Sequence, residues 1–167
     1  MIHPELDAEA LYAQLESAVT TALAGTENLA IVGIYSGGAW LAERLARSLS
    51  VTDIGYIDVS FYRDDFSERG LSAEVKPSQI PFEVEGKTIL LVDDVLYTGR
   101  TTRAAVNTLF DYGRPARVML AALLDRGGRQ LPVAADFVAK TITLASDQQL
   151  VLQQADDGHF SLTIAHA

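Results

Sequence analysis

The sequence predicts an α/β domain in which a central parallel sheet is flanked by helices. Two short aliphatic runs, residues 29–34 and 88–92, have the composition of strands buried on both faces of a parallel sheet. Each run is followed by a glycine-containing loop and then by apolar residues at helical spacing. This alternation of strand, loop and helix is typical of parallel sheets whose strands are joined by right-handed crossovers.

The other elements follow from the same patterns. A first helix is predicted over residues 7–24, where leucine and valine recur at every fourth position, with Asp7 as its cap and Gly25 at its end. Residues 149–154 and 160–165 are joined by an Asp-Asp-Gly turn, which predicts a hairpin. Further helices are predicted over residues 39–49 and 101–112, and further strands over residues 54–61, 118–124 and about 137–141.

Composition limits the class of protein. The 167 residues are 49% hydrophobic and contain no repeat or low-complexity linker, so a single domain is predicted over residues 1–167. The formal charge of −9 opposes nonspecific attraction to nucleic acid or to an anionic membrane. No apolar run approaches the ~20 residues needed to span a bilayer, and the absence of cysteine excludes disulfides and thiolate metal sites. A cytoplasmic protein without membrane association is therefore expected.

Residues 88–102 contain the pattern that indicates a binding site. A buried strand runs into Asp93 and Asp94, and a loop of hydroxyl residues and Gly99 then opens the next helix. Backbone N–H groups at a helix N-terminus bind phosphate together with hydroxyl donors, and glycine permits a close approach. Carboxylates would repel that phosphate but suit the adjacent hydroxyls of a sugar. The pattern therefore indicates a ribose 5-phosphate site beyond the carboxyl ends of the strands.

Other classes of protein also place acids at the end of an aliphatic strand. P-loop enzymes do so in their Walker B element, but the G-x-x-x-x-G-K-[ST] loop that they need is missing from this sequence. Receiver domains have an acidic pocket, but their acids lie near the first strand rather than past the middle of the chain. An acid pair alone is often structural or solvated, and its combination with residues 98–102 favours the ribose phosphate interpretation.

Several separated motifs resemble those of the type I phosphoribosyltransferases. They are residues 57–58 with 62–65, residues 92–101, residues 113–115 and residues 124–127. Within that class the sequence looks most like the family of bifunctional pyrimidine operon regulators and uracil phosphoribosyltransferases, over about residues 31–140. The resemblance implies the type I phosphoribosyltransferase fold, with a central parallel sheet flanked by helices. It also implies a small hood over the base, formed by the termini and residues 125–165.

The resemblance implies a reaction in which uracil and 5-phosphoribosyl 1-diphosphate (PRPP) give UMP and diphosphate. Asp93 and Asp94 would hold the ribose hydroxyls and favour an oxocarbenium-like transition state, and Arg63 would contact a phosphate. The loop of residues 63–79 would close to exclude water. Mg²⁺ would bind the diphosphate and ribose oxygens, and its protein ligands are not predicted. The PRPP-binding residues implied are Asp93, Asp94, Val95, Leu96, Tyr97, Thr98, Gly99, Arg100 and Thr101.

Diphosphate and base positions are also implied by the resemblance. For the base, the implied positions are Arg126, Val138 and Lys140. The alternative is that Arg126 and Lys140 are solvated surface charges and that Val138 belongs to the core. The residues implied are Ser36, Gly37 and Gly38 for the diphosphate, Arg126 over the base ring, the backbone around Val138 at the base edge and Lys140 at a carbonyl oxygen of the base.

Two features depart from the family's pattern. The loop after the first strand usually reads Thr-Arg-Gly in the family, and Gly37 stands in place of its arginine. This change would weaken catalysis unless another basic group substitutes. Relatives that attenuate transcription bind RNA through a basic face that includes the first helix, but here no Lys or Arg precedes Arg44. Because RNA affinity depends mainly on neutralising phosphates, RNA binding is expected to be weak or absent.

Three functions remain open at this point. The first is a uracil phosphoribosyltransferase that binds PRPP, uracil and UMP. The second is a UMP- and UTP-sensing transcriptional attenuation regulator that binds pyrimidine-operon leader RNA and has little turnover. The third is a phosphoribosyltransferase for another base. Resemblance and aliphatic content predict a homodimer or a larger homo-oligomer.

Overall fold

A five-stranded parallel sheet forms the centre of the computed structural model, which describes residues 6–59 and 78–166. Its strands are β1 (Leu29–Ile34), β2 (Ile54–Ile57), β3 (Thr88–Leu96), β4 (Arg117–Asp125) and β5 (Phe137–Thr141), in the order β2-β1-β3-β4-β5. The helices are α1 (Ala8–Leu23), α2 (Gly37–Leu49) and α3 (Arg100–Tyr112). Strands β6 (Gln148–Gln154) and β7 (Phe160–His166) form an antiparallel hairpin. The predicted fold class and terminal hairpin are confirmed.

The sheet separates two apolar layers. Leu90 and Val92 of β3 face a layer that also contains α1, α2 and the hairpin. Ile89 and Leu91 face the opposite layer, which contains α3. Burial of each such side chain stabilises the fold by about 1.5–3 kcal/mol, which is why β3 is aliphatic on both faces. Among the residues that the structure describes, no helix is both long and apolar enough to cross a bilayer.

The end of β3 differs from the prediction. The aliphatic run predicts a strand that ends at Val92, whereas β3 continues through both acids to Leu96. The parallel partner β4 explains the difference, because Asp93 lies opposite Ala122 and Leu96 lies opposite Asp125. Main-chain pairing therefore carries the acid pair within the strand, and successive side chains of a strand point to opposite faces of the sheet. The two acids thus diverge from one backbone rather than projecting together from a loop.

Strand β2 is shorter than predicted. The alternating pattern predicts a strand over residues 54–61, but β2 ends at Ile57, opposite Ile34 at the end of its partner β1. The pairing stops where the partner strand stops. Tyr56 of β2 exchanges two backbone hydrogen bonds of 2.8 Å with Gln79 on the outer edge of the sheet. Arg63 and most of the predicted 63–79 loop lie outside the described residues.

A half-buried arginine connects the hairpin to the helices. Arg44 of α2 pairs with Glu9 of α1 at 2.8 Å and donates to the carbonyl oxygen of Gly158 in the hairpin turn. Its guanidinium carbon lies 3.8 Å from the centroid of the Phe160 ring and 4.8 Å from that of Tyr12. The other Glu9 oxygen accepts a 2.7 Å hydrogen bond from the Phe160 N–H. This cluster thus ties α1, α2 and the hairpin into one unit.

Removal of the Glu9 charge is expected to weaken this unit. Glu9→Gln should lower the free energy of unfolding by about 1–2 kcal/mol at neutral pH, because hydrogen bonds to charged groups contribute about 1.5–3 kcal/mol and solvent screens part of this for the partly exposed Glu9. The hydrogen bond from Arg44 holds the pKa of Glu9 below its usual value of 4.5, so the stabilisation is present above that pH and is lost as pH falls through the lowered folded-state pKa. Urea denaturation from pH 7 to pH 3 would measure this.

The exposed Glu27 supplies a matched control, since Glu27→Gln removes the same charge away from Arg44. The difference in stability between wild type and Glu9→Gln should shrink in acid, while Glu27→Gln should follow wild type throughout. A constant difference at all pH values would contradict the assignment to the Glu9 charge.

Candidate functional site

The acid pair lies at the carboxyl end of the central strand. Asp93 is only 7% exposed and Asp94 is half-buried. One oxygen of Asp93 accepts the N–H of Asp94, and one oxygen of Asp94 accepts the N–H of Val95, both at 2.8 Å. Each carboxylate thus accepts a hydrogen bond from the main-chain N–H of the residue that follows it. Ionised carboxylates have further lone pairs, so each can still accept hydrogen bonds from hydroxyl groups.

The loop after β1 reaches this acid pair directly. A Cβ atom at Gly37 would lie 2.4 Å from Asp94 Oδ2, and a Cβ atom at Gly38 would lie 2.3 Å from the backbone oxygen of Val92. These contacts are closer than real Cβ atoms allow, so only glycine permits the loop to lie this near to β3. Ser36, the third predicted residue of the loop, is exposed immediately before α2. The structure therefore brings the predicted diphosphate loop to the predicted ribose acids.

The residues predicted to hold the 5-phosphate lie in the loop between β3 and α3 and in the first turn of α3. Gly99 caps α3 with a φ of +95°, a left-handed conformation that glycine adopts without strain. The Thr98 side chain is buried, and its hydroxyl accepts the N–H of Arg100 at 3.2 Å. Thr101 lies half-buried in the first helical turn, and the next residue, Thr102, has a buried hydroxyl without a hydrogen-bond partner. The hydroxyl groups of three threonines and the N–H groups of the first helical turn thus lie together at the N-terminus of α3. Phosphate binding uses donors of these two kinds.

Three other predicted PRPP residues are placed differently. The Leu96 side chain is buried in the apolar layer beneath α3, so only its backbone is available to a ligand. The Arg100 side chain is exposed and donates a 3.0 Å hydrogen bond to Gln130. Val95 is half-buried at the end of β3. Any contact of Leu96 with a sugar phosphate would therefore involve main-chain atoms.

Arg126 covers an aromatic ring at the edge of the same site. Its guanidinium carbon lies 3.9 Å from the centroid of the Tyr97 ring, and it donates a 2.9 Å hydrogen bond to the carbonyl of Gln148 in β6. A Cβ atom at Gly128 would lie 2.5 Å from Cε1 of the same ring. The Tyr97 ring thus packs against both Arg126 and Gly128. Arg126 also links the segment after β4 to the hairpin.

The two remaining base candidates align with the acid strand across the sheet. In the parallel register Val138 lies opposite Ala122, which itself lies opposite Asp93. Lys140 similarly lies opposite Leu124, which lies opposite Val95. Two strand spacings separate Val138 from Asp93, a distance of about 10 Å. Val138 is 38% exposed for a large apolar residue, which argues against a core role for its side chain.

The sequence of this chain is similar to those of known phosphoribosyltransferases. Residues 3–154 match the family described as the phosphoribosyl transferase domain. A protein named Bifunctional protein PyrR from Ralstonia nicotianae is 52% identical over 160 residues, with 95% of this chain and 92% of the relative covered. One of the same name from Nitrosococcus oceani is 47% identical, with 94% and 92% covered. The chain belongs to the PyrR family of phosphoribosyltransferases. The family resemblance noted in the sequence is thereby confirmed.

Solved structures agree with the PyrR family assignment at the level of the fold. A hypoxanthine phosphoribosyltransferase from Staphylococcus aureus has a TM-score of 0.62 and 26% identity, with 83% of this chain and 74% of that chain covered. The enzyme of the same name from Trypanosoma cruzi has a TM-score of 0.62 at 23% identity, with 82% and 79% covered. The type I phosphoribosyltransferase fold is confirmed.

The sequence missed the contacts that residues 129–131, after β4, make with the loop that follows β3. Arg129 donates to the Tyr97 carbonyl, and the N–H groups of Gln130 and Leu131 donate to the Thr98 carbonyl. These contacts are long-range, and the only local signal is an acid and an arginine four positions apart, Asp125 and Arg129. That spacing also occurs on many solvated surfaces, so it does not indicate a contact with the PRPP loop.

Proposed function

We propose that the protein is a uracil phosphoribosyltransferase, which converts uracil and PRPP into UMP and diphosphate. The observation that carries the proposal is the close approach of Gly37 to Asp94, because it brings the predicted diphosphate loop next to the predicted ribose acids. Uracil is favoured over hypoxanthine because the PyrR relatives are about twice as identical in sequence as the hypoxanthine enzymes. We further propose that residues 1–167 form one domain and assemble into a homodimer or a larger homo-oligomer.

The proposed roles of the acids follow from their charge. Asp93 and Asp94 accept hydrogen bonds from the ribose hydroxyls, and their negative charge stabilises the positive charge that develops on the sugar ring as diphosphate leaves. Thr98, Gly99 and Thr101 hold the 5-phosphate through main-chain and hydroxyl donors. The C1 carbon of the sugar is thereby placed between the leaving diphosphate and the base.

The base is proposed to bind in the space next to β5. The strand register supports this position, because it places Val138 about 10 Å from Asp93. That distance is long enough for a ribose and a pyrimidine placed side by side. In this proposal Arg126, whose guanidinium lies over the Tyr97 ring, presents its other face to the base; the Val138 backbone meets the edge of the base, and Lys140 contacts one of its carbonyl oxygens. Arg63, which lies outside the described residues, is proposed to contact a phosphate when its loop closes.

Magnesium suits this set of residues. Within residues 6–59 and 78–166, no group of three or more His, Asp or Glu side chains is arranged to hold a metal ion. Mg²⁺ usually binds through one or two carboxylates together with substrate phosphates and water, and Asp93 and Asp94 provide such carboxylates. The bound ion would neutralise the charge on the leaving diphosphate.

A labelled-uracil assay tests the proposal. Purified protein, PRPP, Mg²⁺ and labelled uracil are expected to yield UMP, with orotate, hypoxanthine and guanine giving far less product. Product with another base but not with uracil would identify a different phosphoribosyltransferase. No product with any base, despite tight UMP binding, would overturn the enzyme proposal.

A second candidate function is a nucleotide-sensing regulator with little turnover. Two observations favour it: the relatives are named bifunctional, and Gly37 offers no arginine for the diphosphate. Its RNA-binding form is disfavoured because α1 carries Glu9 and Glu16 and has no basic residue in its last turn. We expect leader RNA to bind weakly or not at all. A salt-dependent shift of pyrimidine-operon leader RNA at submicromolar protein would contradict that expectation.

A further inference from the structure

Three consecutive carbonyl groups of the PRPP loop are anchored on one side. The Leu96 oxygen accepts the Arg126 N–H at 3.0 Å, and the Tyr97 oxygen accepts the Arg129 guanidinium at 2.7 Å. The Thr98 oxygen accepts two N–H groups, at 2.9 and 3.2 Å, from Gln130 and Leu131. All four donors come from residues 126–131, which follow β4. This segment therefore acts as a backing for the loop.

The anchoring fixes where the N–H groups of the loop point. A trans peptide unit directs its C=O and its N–H to opposite sides, and the peptide units of this loop are trans. With the oxygens of residues 96, 97 and 98 directed to the backing segment, the N–H groups of Tyr97, Thr98 and Gly99 are directed away from it. That is the side on which a 5-phosphate would lie at the start of α3.

Arg129 makes the central contact of this backing. Its Nε donates to the Val133 carbonyl at 2.7 Å, one terminal nitrogen donates to the Tyr97 carbonyl at 2.7 Å, and the other pairs with Asp125 at 2.6 Å. A planar guanidinium can satisfy three acceptors in fixed directions, and a lysine cannot. The hydrogen bond from Arg129 holds the pKa of the Asp125 carboxyl below its usual value, so the pair stays ionised at neutral pH.

We propose that Arg129 is a positioning residue for the 5-phosphate: it does not touch the ligand, but its bond to the Tyr97 carbonyl directs the N–H of the same peptide unit, that of Thr98, at the phosphate. The inference rests on the proposed function for the identity of the ligand. It extends that function by assigning phosphate affinity to a residue that lies behind the site.

Binding of ribose 5-phosphate, measured by calorimetry, tests this inference without requiring turnover. Arg129→Gln is expected to weaken binding about tenfold or more, because small displacements of positioned donors cost that much. Arg129→Lys is expected to weaken binding by a similar factor, since its charge remains but the directed bonds do not. The exposed Arg117 at the start of β4 provides the control, and Arg117→Gln should bind as wild type does.

Asp125→Asn separates positioning from stability. This change removes the ion pair but leaves the bond between Arg129 and the Tyr97 carbonyl possible, so it should lower the melting temperature and change phosphate affinity less than about threefold. If Arg129→Gln does not fold, Arg129→Lys and Asp125→Asn decide the question by the same contrast.

The outcomes separate this inference from the proposed function. Folded Arg129 variants that bind ribose 5-phosphate within about twofold of wild type would overturn the inference, as would full rescue by lysine or a wild-type protein that does not bind the ligand. Failure to form UMP by a wild-type protein that binds ribose 5-phosphate would contradict the proposed function alone. In that case the Arg129 comparison still decides the positioning role.

Discussion

Asp94→Asn is expected to lower kcat for UMP formation by about 10²–10³-fold, the range seen when one preorganised group that stabilises transition-state charge is lost. Asparagine keeps the size and hydrogen-bonding oxygen of the side chain but removes the negative charge. The bond that Asp94 Oδ1 accepts from the Val95 N–H can persist in the variant, so the loop geometry should be retained. Steady-state kinetics with PRPP and uracil would measure the change.

The exposed Asp111 near the end of α3 supplies the control for this experiment. Asp111→Asn changes the net charge equally and should leave kcat within about twofold of wild type, because surface charges far from the site are screened. A loss confined to KM for PRPP, with kcat unchanged, would assign Asp94 to ground-state binding instead of transition-state stabilisation.

Gly37→Arg is expected to lower activity about tenfold to a hundredfold, although it restores the residue usual in the family. The first side-chain atom would meet Asp94, whose Oδ2, Cγ and Cβ lie 2.4, 2.9 and 3.0 Å from the Cβ position. The Asp94 carboxylate would have to move from its place in the site, and displacement of about 1 Å has that kinetic cost.

Gly37→Ala is the matched variant, because it introduces the same Cβ atom without a guanidinium. Both variants should lose activity if the contact with Asp94 decides the outcome. Activity above wild type in Gly37→Arg, with a loss in Gly37→Ala, would show that the loop adapts and that the missing charge limits catalysis. Kinetics with varied PRPP, together with melting temperatures for both proteins, would distinguish these results.

Periodicity and composition predict most of the fold because burial on both faces of a parallel sheet demands aliphatic strands such as β3. The sequence also places the residues of the proposed 5-phosphate site together, since Thr98 and Gly99 are adjacent in the chain. Two features were not predictable from local sequence. The extension of β3 through Asp93 depends on its pairing with β4, and the approach of Gly37 to Asp94 joins residues far apart in the chain. Long-range contacts of this kind leave no periodic signal.

The cluster around Arg44 has a consequence for the order of folding. Arg44 bonds to Glu9, 35 positions earlier, and to Gly158, 114 positions later, and Glu9 accepts the N–H of Phe160 across 151 positions. Such contacts close long loops and form slowly. The first helix is translated well before its hairpin partner, because 151 positions separate Glu9 from Phe160. A nascent chain must therefore shield the Tyr12 face of α1 until the hairpin has been translated.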